Sequence, residues 1–185
     1  VGSWFDKKYS YVRFSNLDEA LKYLKKEGKT VQIETKPVDG NYPDGTPINK
    51  DFEKKVVKII KDNHMEKRVV IISQNEDSLK RVKKVDPKMN TANCMVVAWG
   101  DIGDIDWVDY CSIEEENVTP AIIYKMKKAN EKCFSWTVNR ADKIQNLVDC
   151  GIDGIVTDNV VMVRKQLDAI DYTPGIDKFI RMVAQ

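Results

Sequence analysis

Glu34 and Lys36 stand two residues apart at the end of a short segment, Val31-Gln32-Ile33-Glu34. On an extended chain alternate side chains leave the same face, so a carboxylate and an ammonium emerge side by side. At the mouth of an α/β barrel such a pair can hold a divalent metal and a phosphate oxygen together. The same spacing also describes a plain surface ion pair on a strand end. Three further places hold candidate chemistry: Glu114 in the run Glu114-Glu115-Glu116, Trp136 between Ser135 and Thr137, and Asp158-Asn159 before an apolar segment. Each has an ordinary alternative. Three adjacent acids are commonly solvated, a tryptophan in an apolar strand is commonly core, and an Asp-Asn pair commonly caps a helix. The only histidine, His64, falls at a predicted helix C-terminus, where its charge would favour the dipole. It is far from any strand end and is not selected as a catalytic base. The four cysteines, Cys94, Cys111, Cys133 and Cys150, contain no C-x-x-C pair. Zinc and a disulfide framework are both disfavoured, and buried reduced thiols are expected.

The elements that position these residues alternate between two periods. Leu17 to Lys26 reads as an amphipathic helix carrying Leu17, Leu21 and Leu24, capped by Ser15 or Asn16 and stopped by Gly28. Val31–Glu34 is a strand, and residues 37–47, with three prolines and two glycines, form a loop. Residues 51–63 are a helix and Val69 to Ile72 an unbroken apolar strand, the pattern of a buried parallel one. The cycle then repeats. A helix capped by Asn75 ends at Asp86-Pro87, and strands follow at 93–98 and 108–113 around a Gly- and Asp-rich connection. Thr119-Pro120 opens a helix with threonine as cap and proline in the first turn. A strand at 133–138, a helix at 141–150 stopped by Gly151, a strand at 154–157 and a helix at 161–170 complete the series.

Six strands alternating with helices predict an α/β fold with a parallel sheet. No G-x-G-x-x-G follows the first strand, which argues against a dinucleotide-binding sheet. An eight-unit barrel takes about 250 residues, and this chain has 185. The expected architecture is therefore an incomplete TIM-type (β/α) barrel lacking its first two strands, with residues 1–185 as one partial barrel domain. Its active residues would lie at the C-terminal ends of the strands. That rule selects Glu34, Lys36, Gln74, Glu114, Trp136, Asp158 and Asn159.

Composition removes other classes. Thirty Lys and Arg against 29 Asp and Glu leave a formal net charge of +1, with no basic excess to draw in phosphate backbones, so nucleic acid is not an expected partner. Hydrophobic residues at 42% and charged residues at 32% suit a folded globular chain. No apolar run approaches 18 residues, so no membrane span is expected, and Val1 to Asp6 have no signal-peptide character.

Taken together these segments resemble the glycerophosphodiester phosphodiesterase family. Ile33-Glu34-Thr35-Lys36-Pro37 is similar to the family's Ile-Glu-x-Lys strand, and Gly2-Ser3-Trp4-Phe5 to the linker before its third strand. Phe134-Ser135-Trp136-Thr137-Val138-Asn139 resembles the seventh strand, and NLVDCGIDGIVTDN, residues 146–159, the last helix and eighth strand. The stretch from Ala98 to Glu114 looks most like a membrane-tethered branch of the family.

The resemblance implies hydrolysis of glycerophosphodiesters to glycerol 3-phosphate and an alcohol, with calcium or magnesium. It makes Glu34 a metal-ligand candidate, Lys36 the catalytic cation that neutralises phosphoryl charge, and Trp136 and Glu114 substrate-binding candidates. The family's His-Arg pair, its Glu-x-Asp metal pair and a second histidine would precede the Gly-Ser-Trp-Phe linker, where this chain begins. The metal site is therefore expected to be weakened or absent, and the isolated chain inactive. It would be a remnant of a complete enzyme, a natural truncation, or a barrel completed by another polypeptide. Exposed sheet edges invite self-association or element swapping. The alternative function is a non-catalytic phosphate-ligand or interaction module on the same scaffold. Reduced thiols lean cytoplasmic, and the branch resemblance leans towards an extracytoplasmic domain behind a membrane tether.

Overall fold

The computed structural model describes residues 2–36, 51–95 and 107–170. The chain divides into two compact units, Val1–Thr91 and Ala92–Gln185.

The first unit begins with a single 3-10 turn at Lys7–Tyr9, then α1 (Leu17–Lys26) and β1 (Val31–Glu34). The helix starts at Asn16 because two orphan donors are satisfied reciprocally there. Asn16 Oδ1 accepts from the Glu19 N–H at 2.9 Å, and the Glu19 carboxylate accepts from the Asn16 N–H at 3.1 Å. Arg13 grips the same carboxylate at 2.6 and 2.8 Å. The Arg13 guanidinium and the Asn16 N–H together hold the Glu19 carboxyl down to about 2. Helix α1 ends at Glu27, and Gly28 takes the left-handed φ of 67° that stops it. We expect Asn16→Ala to lower stability by about 1 kcal/mol. Urea unfolding of the full chain checks this as a shifted midpoint with unchanged slope.

Helix α2 (Phe52–Asp62), strand β2 (Val69–Ser73) and helix α3 (Glu76–Val85) complete the first unit. Strand β2 pairs in parallel with β1, Val31 opposite Val69 through Glu34 opposite Ile72. Leu21, Val57, Ile60, Met65, Val69, Ile71, Leu79, Val82 and Met89 are buried. Arg68 caps the end of α1 by donating to the carbonyls of Leu24 and Lys29, and Lys25 donates to the Asn63 carbonyl at 2.7 Å. Between α2 and α3 lies a buried charge. Glu53, 6% exposed, accepts through one oxygen from Ser78 Oγ at 2.8 Å and from Arg81 at 2.8 and 3.0 Å.

The second unit holds β3 (Thr91–Met95, its first residue closing the unit before), β4 (Tyr110–Glu114), α4 (Pro120–Lys128), β5 (Lys132–Trp136), α5 (Ala141–Cys150), β6 (Gly154–Ile155) and α6 (Val160–Ala169). Among the described residues its pairings are parallel and follow chain order: β3 with β4, β4 with β5, β5 with β6. Thr119 caps α4 with Pro120 at the first turn, and Gly151 at φ 84° ends α5. Val138, Ile144, Leu147 and Val163 form a buried cluster, with Val148, Ile155 and Met162 packed against it.

Every expected helix and strand is present, and the α/β reading with parallel strands holds. The edges shift. Strand β5 ends at Trp136, two residues earlier than the apolar pattern suggests, and β6 has only two ladder residues. Val138 still donates to the Val156 carbonyl at 2.9 Å, so contact between the chains outlasts the regular ladder. The proline-rich loop, the Gly- and Asp-rich connection and the C-terminal tail lie outside the described residues. Cys94, Cys111, Cys133 and Cys150 are thiols rather than disulfides. Burial pushes the Cys133 thiol up to about 12 and Cys111 higher still, so neither is a nucleophile at neutral pH. Among the described residues no helix is long and apolar enough to cross a membrane.

Candidate functional site

Glu34 and Lys36 are set outward by the residue between them. Thr35 is 3% exposed and is tied down on both sides of its peptide. Its N–H donates to the Ile72 carbonyl at 2.8 Å, and its carbonyl accepts from Ser73 Oγ at 2.7 Å. Ser73 Oγ also accepts from the Asn75 N–H at 3.1 Å, and the Asn75 side chain caps α3. With Thr35 turned inward, alternation turns Glu34 and Lys36 out on the opposite face. The Lys36 ammonium lies 3.2 Å from the Glu34 carboxylate, with side chains 78% and 45% exposed. An exposed pair of this kind contributes under about 1 kcal/mol to stability. Its chemical capacity is different: an unburied ammonium at a strand exit is open to an anion's oxygens.

The second unit brings Glu114 and Trp136 together. They are register partners at the last positions of β4 and β5, so their side chains leave one face. Below Trp136 on that face, Phe134 stacks obliquely on Tyr110 at 5.6 Å between ring centroids. Phe134 also lies opposite Gly154, the position on β6 that has no side chain. Glu114 is half-buried and accepts from Asn117 Nδ2 at 3.4 Å. Among the described residues, the indole Nε1 of Trp136 is buried without a hydrogen-bond partner, as are Ser112 Oγ, Ser135 Oγ and Glu115 Oε2. A buried indole donor ordinarily finds an acceptor.

The exits of β5 and β6 are joined by a polar network. Asn139 Nδ2 donates to Asp158 Oδ2 at 2.8 Å. Asn139 Oδ1 accepts from the Asp158 N–H at 3.0 Å and from Thr157 Oγ1 at 3.2 Å. Asn159 caps α6, accepting from the Met162 N–H at 3.0 Å, so Asp158-Asn159 divide the work between clamp and cap. Gln74 is exposed just beyond β2. His64 follows α2 and precedes β2, at the end of β2 opposite to the Thr35 anchor. Thr35, Ser73 and Asn139 were not selected from sequence. The signal for Asn139 was present: an amide three residues beyond one strand end and a carboxylate three residues beyond the next.

The described residues do not fit a divalent cation. Such an ion takes about six or more oxygens, and no group of three or more His, Cys, Asp or Glu side chains converges among them. Glu34 offers one carboxylate, already facing an ammonium.

The comparisons with known proteins agree with one another. The family model described as the glycerophosphoryl diester phosphodiesterase family matches residues 1–162. A glycerophosphodiester phosphodiesterase of Caldanaerobacter subterraneus subsp. tengcongensis is 29% identical over 179 residues, covering 89% of this chain and 68% of the relative. Among solved structures, a Silicibacter pomeroyi protein carrying the same family name superposes with a TM-score of 0.70 at 20% identity, over 85% of this chain and 58% of that one. An Oleispira antarctica phosphodiesterase, solved with the product sn-glycerol-3-phosphate, gives 0.67 at 16% identity, over 90% and 66%. At these identities the structural likeness shows the fold. The chain spans between 58% and 68% of the length of these three proteins.

Proposed function

The chain belongs to the glycerophosphoryl diester phosphodiesterase family, and from that premise we propose that its protein hydrolyses glycerophosphodiesters to glycerol 3-phosphate and an alcohol. The observation that carries this reading onto particular residues is the outward pair Glu34 and Lys36 at the exit of β1. In hydrolysis a water oxygen forms a bond to phosphorus, the bond from phosphorus to the alcohol oxygen breaks, and a proton goes to the departing alcohol. Negative charge gathers on the phosphoryl oxygens meanwhile, and Lys36 is the group that meets it. Within the second unit, the family's pattern makes Trp136 the substrate-wall candidate, its Nε1–H without a partner among the described residues. Glu114, beside it, accepts from a glycerol hydroxyl.

Proton transfer needs an acid and a base, and we assign neither among the described residues. The described residues therefore bind and neutralise. A calcium or magnesium ion at Glu34 would need further oxygens from outside the described residues. That division favours a second reading for the isolated chain, a phosphate-ligand module without turnover.

Titration of the 185-residue chain with sn-glycerol 3-phosphate, with and without calcium or magnesium, tests the assignment. Saturable binding is expected, weakened about tenfold by Lys36→Ala, the loss of one charge-assisted hydrogen bond. Without added metal, Glu34→Gln is expected to strengthen binding, because it removes a carboxylate beside the phosphate. Absence of saturable binding, or indifference to Lys36→Ala, overturns the reading. Hydrolysis of glycerophosphocholine is expected to be undetectable. Turnover that disappears in Glu34→Ala would mean that the acid and base lie within this chain.

A further inference from the structure

We propose that Asn139 is a positioning residue: paired with Asp158, it aims the Trp136 indole at the substrate. This rests on the reading of Trp136 as a substrate wall. Three observations carry it.

The first is where the bonds fall. Only Thr137 and Val138 separate Trp136 from Asn139, and both Val138 and Asn139 are tied to the segment leaving β6. Val138 is fully buried and donates to the Val156 carbonyl at 2.9 Å, while Asn139 makes three hydrogen bonds to Thr157 and Asp158. On the near side, Val156 donates to the Ser135 carbonyl at 2.8 Å. The tryptophan is therefore bracketed by tethers to one neighbouring strand.

The second is that the network is a poor stabiliser. Asn139 and Asp158 are exposed, and bonds that water can replace contribute about 1 kcal/mol or less each. What a complete carboxamide clamp supplies in such a place is direction. It uses both ends of the amide, oxygen towards two donors and nitrogen towards a carboxylate, so it selects one orientation of the backbone that leaves Trp136.

The third is that the indole it bears on has a buried Nε1–H with no partner among the described residues. Such a donor serves a ligand only if it already points at the acceptor, and a misplacement of about 1 Å can cost a hundredfold.

The pair can be inverted chemically. Asn139→Asp alone sets two carboxylates against each other where an amide met one. Asn139→Asp with Asp158→Asn restores an amide facing a carboxylate, and the carboxylate at 139 can still accept from the backbone N–H at 158 and from Thr157. Two readouts on the full chain decide the matter. One is the Trp136 indole N–H signal in the NMR spectrum, identified by its disappearance in Trp136→Phe. The other is affinity for sn-glycerol 3-phosphate.

We expect Asn139→Asp to shift or broaden that signal and to weaken binding about tenfold, with a melting temperature within about 2 °C of the parent. The inverted pair returns both to within about twofold. An indole signal unmoved by Asn139→Asp, or moved but not recovered by the inversion, overturns the proposal. A chain that binds no sn-glycerol 3-phosphate overturns the functional reading instead. The indole signal then still decides whether Asn139 positions Trp136.

Discussion

Arg81→Ala destabilises the chain by about 3 kcal/mol, the largest loss expected from any single charge removal in the first unit. The reason lies in Glu53. Its side chain is 8% exposed against 50% for Arg81, so the carboxylate is the buried member of the pair. Burial pushes its pKa up, and the hydrogen bonds from Arg81 and Ser78 outweigh burial and leave it below the usual carboxylate value. A folded-state pKa below the unfolded one gives stability that is present above the unfolded value and lost as pH falls through the folded one. Remove Arg81, and burial is left opposed only by Ser78 and the backbone. The folded pKa then rises, and the charged carboxylate becomes a cost at neutral pH.

The deficit of Arg81→Ala should therefore be largest near pH 7 and narrow as pH falls and Glu53 protonates. Urea unfolding at several pH values measures this directly. A deficit independent of pH would show that Arg81 acts through its packed stem alone. Replacing both partners, Glu53→Met with Arg81→Met, is expected to recover most of the loss, because no buried charge remains.

That pair also shows where sequence reading stops. The helix read over residues 51–63 from the spacing of Phe52, Val56, Ile59 and Ile60 is found at Phe52–Asp62. The same spacing sets Glu53 on the buried face, three, four and seven residues before Val56, Val57 and Ile60, but it does not say what meets the charge there. Arg81 lies 28 residues away on α3, and no local rule couples them.

Features confined to one turn of chain fared better. The cap of α1, read as Ser15 or Asn16 and found at Asn16, Thr119 before Pro120, and the stop at Gly151 are each a contest among a few adjacent residues, so residue type decides them. The site divides the same way. Spacing alone places Glu34 and Lys36 on one side of an extended segment. The inward anchor that makes them face out, Thr35 to Ile72 and Ser73, depends on β2 lying alongside. Asn139 and Asp158 are 19 positions apart in sequence and meet because β5 and β6 are neighbours. Metal chemistry at Glu34 is an expectation of the Glu34–Lys36 spacing and of the family resemblance, and the described side chains add no further ligands to it.

The second large effect concerns a glycine. Gly154 has an ordinary backbone conformation, so its role is space. A Cβ at this position would overlap the Phe134 ring at both Cδ1 and Cε1. The ring has little room to retreat, since it stacks on Tyr110 from the other side. Gly154→Ala is therefore expected to cost about 2 kcal/mol through overpacking, and Gly154→Val more.

The strain falls on a short ladder. Strand β6 holds its place through Phe134 opposite Gly154 and Ser135 opposite Ile155, so pushing position 154 outward loosens the exits that carry Trp136 and Asp158. Stability and ligand affinity should fall together, unlike the Asn139 variants, where affinity falls alone. Phe134→Leu removes part of the obstruction. In a double-mutant cycle by urea unfolding, Gly154→Ala with Phe134→Leu should be more stable than the sum of the single losses, by about 1 kcal/mol or more. Simple additivity would mean that β6 absorbs the extra methyl by sliding as a unit, and that the ring of Phe134 does not set its distance from β5.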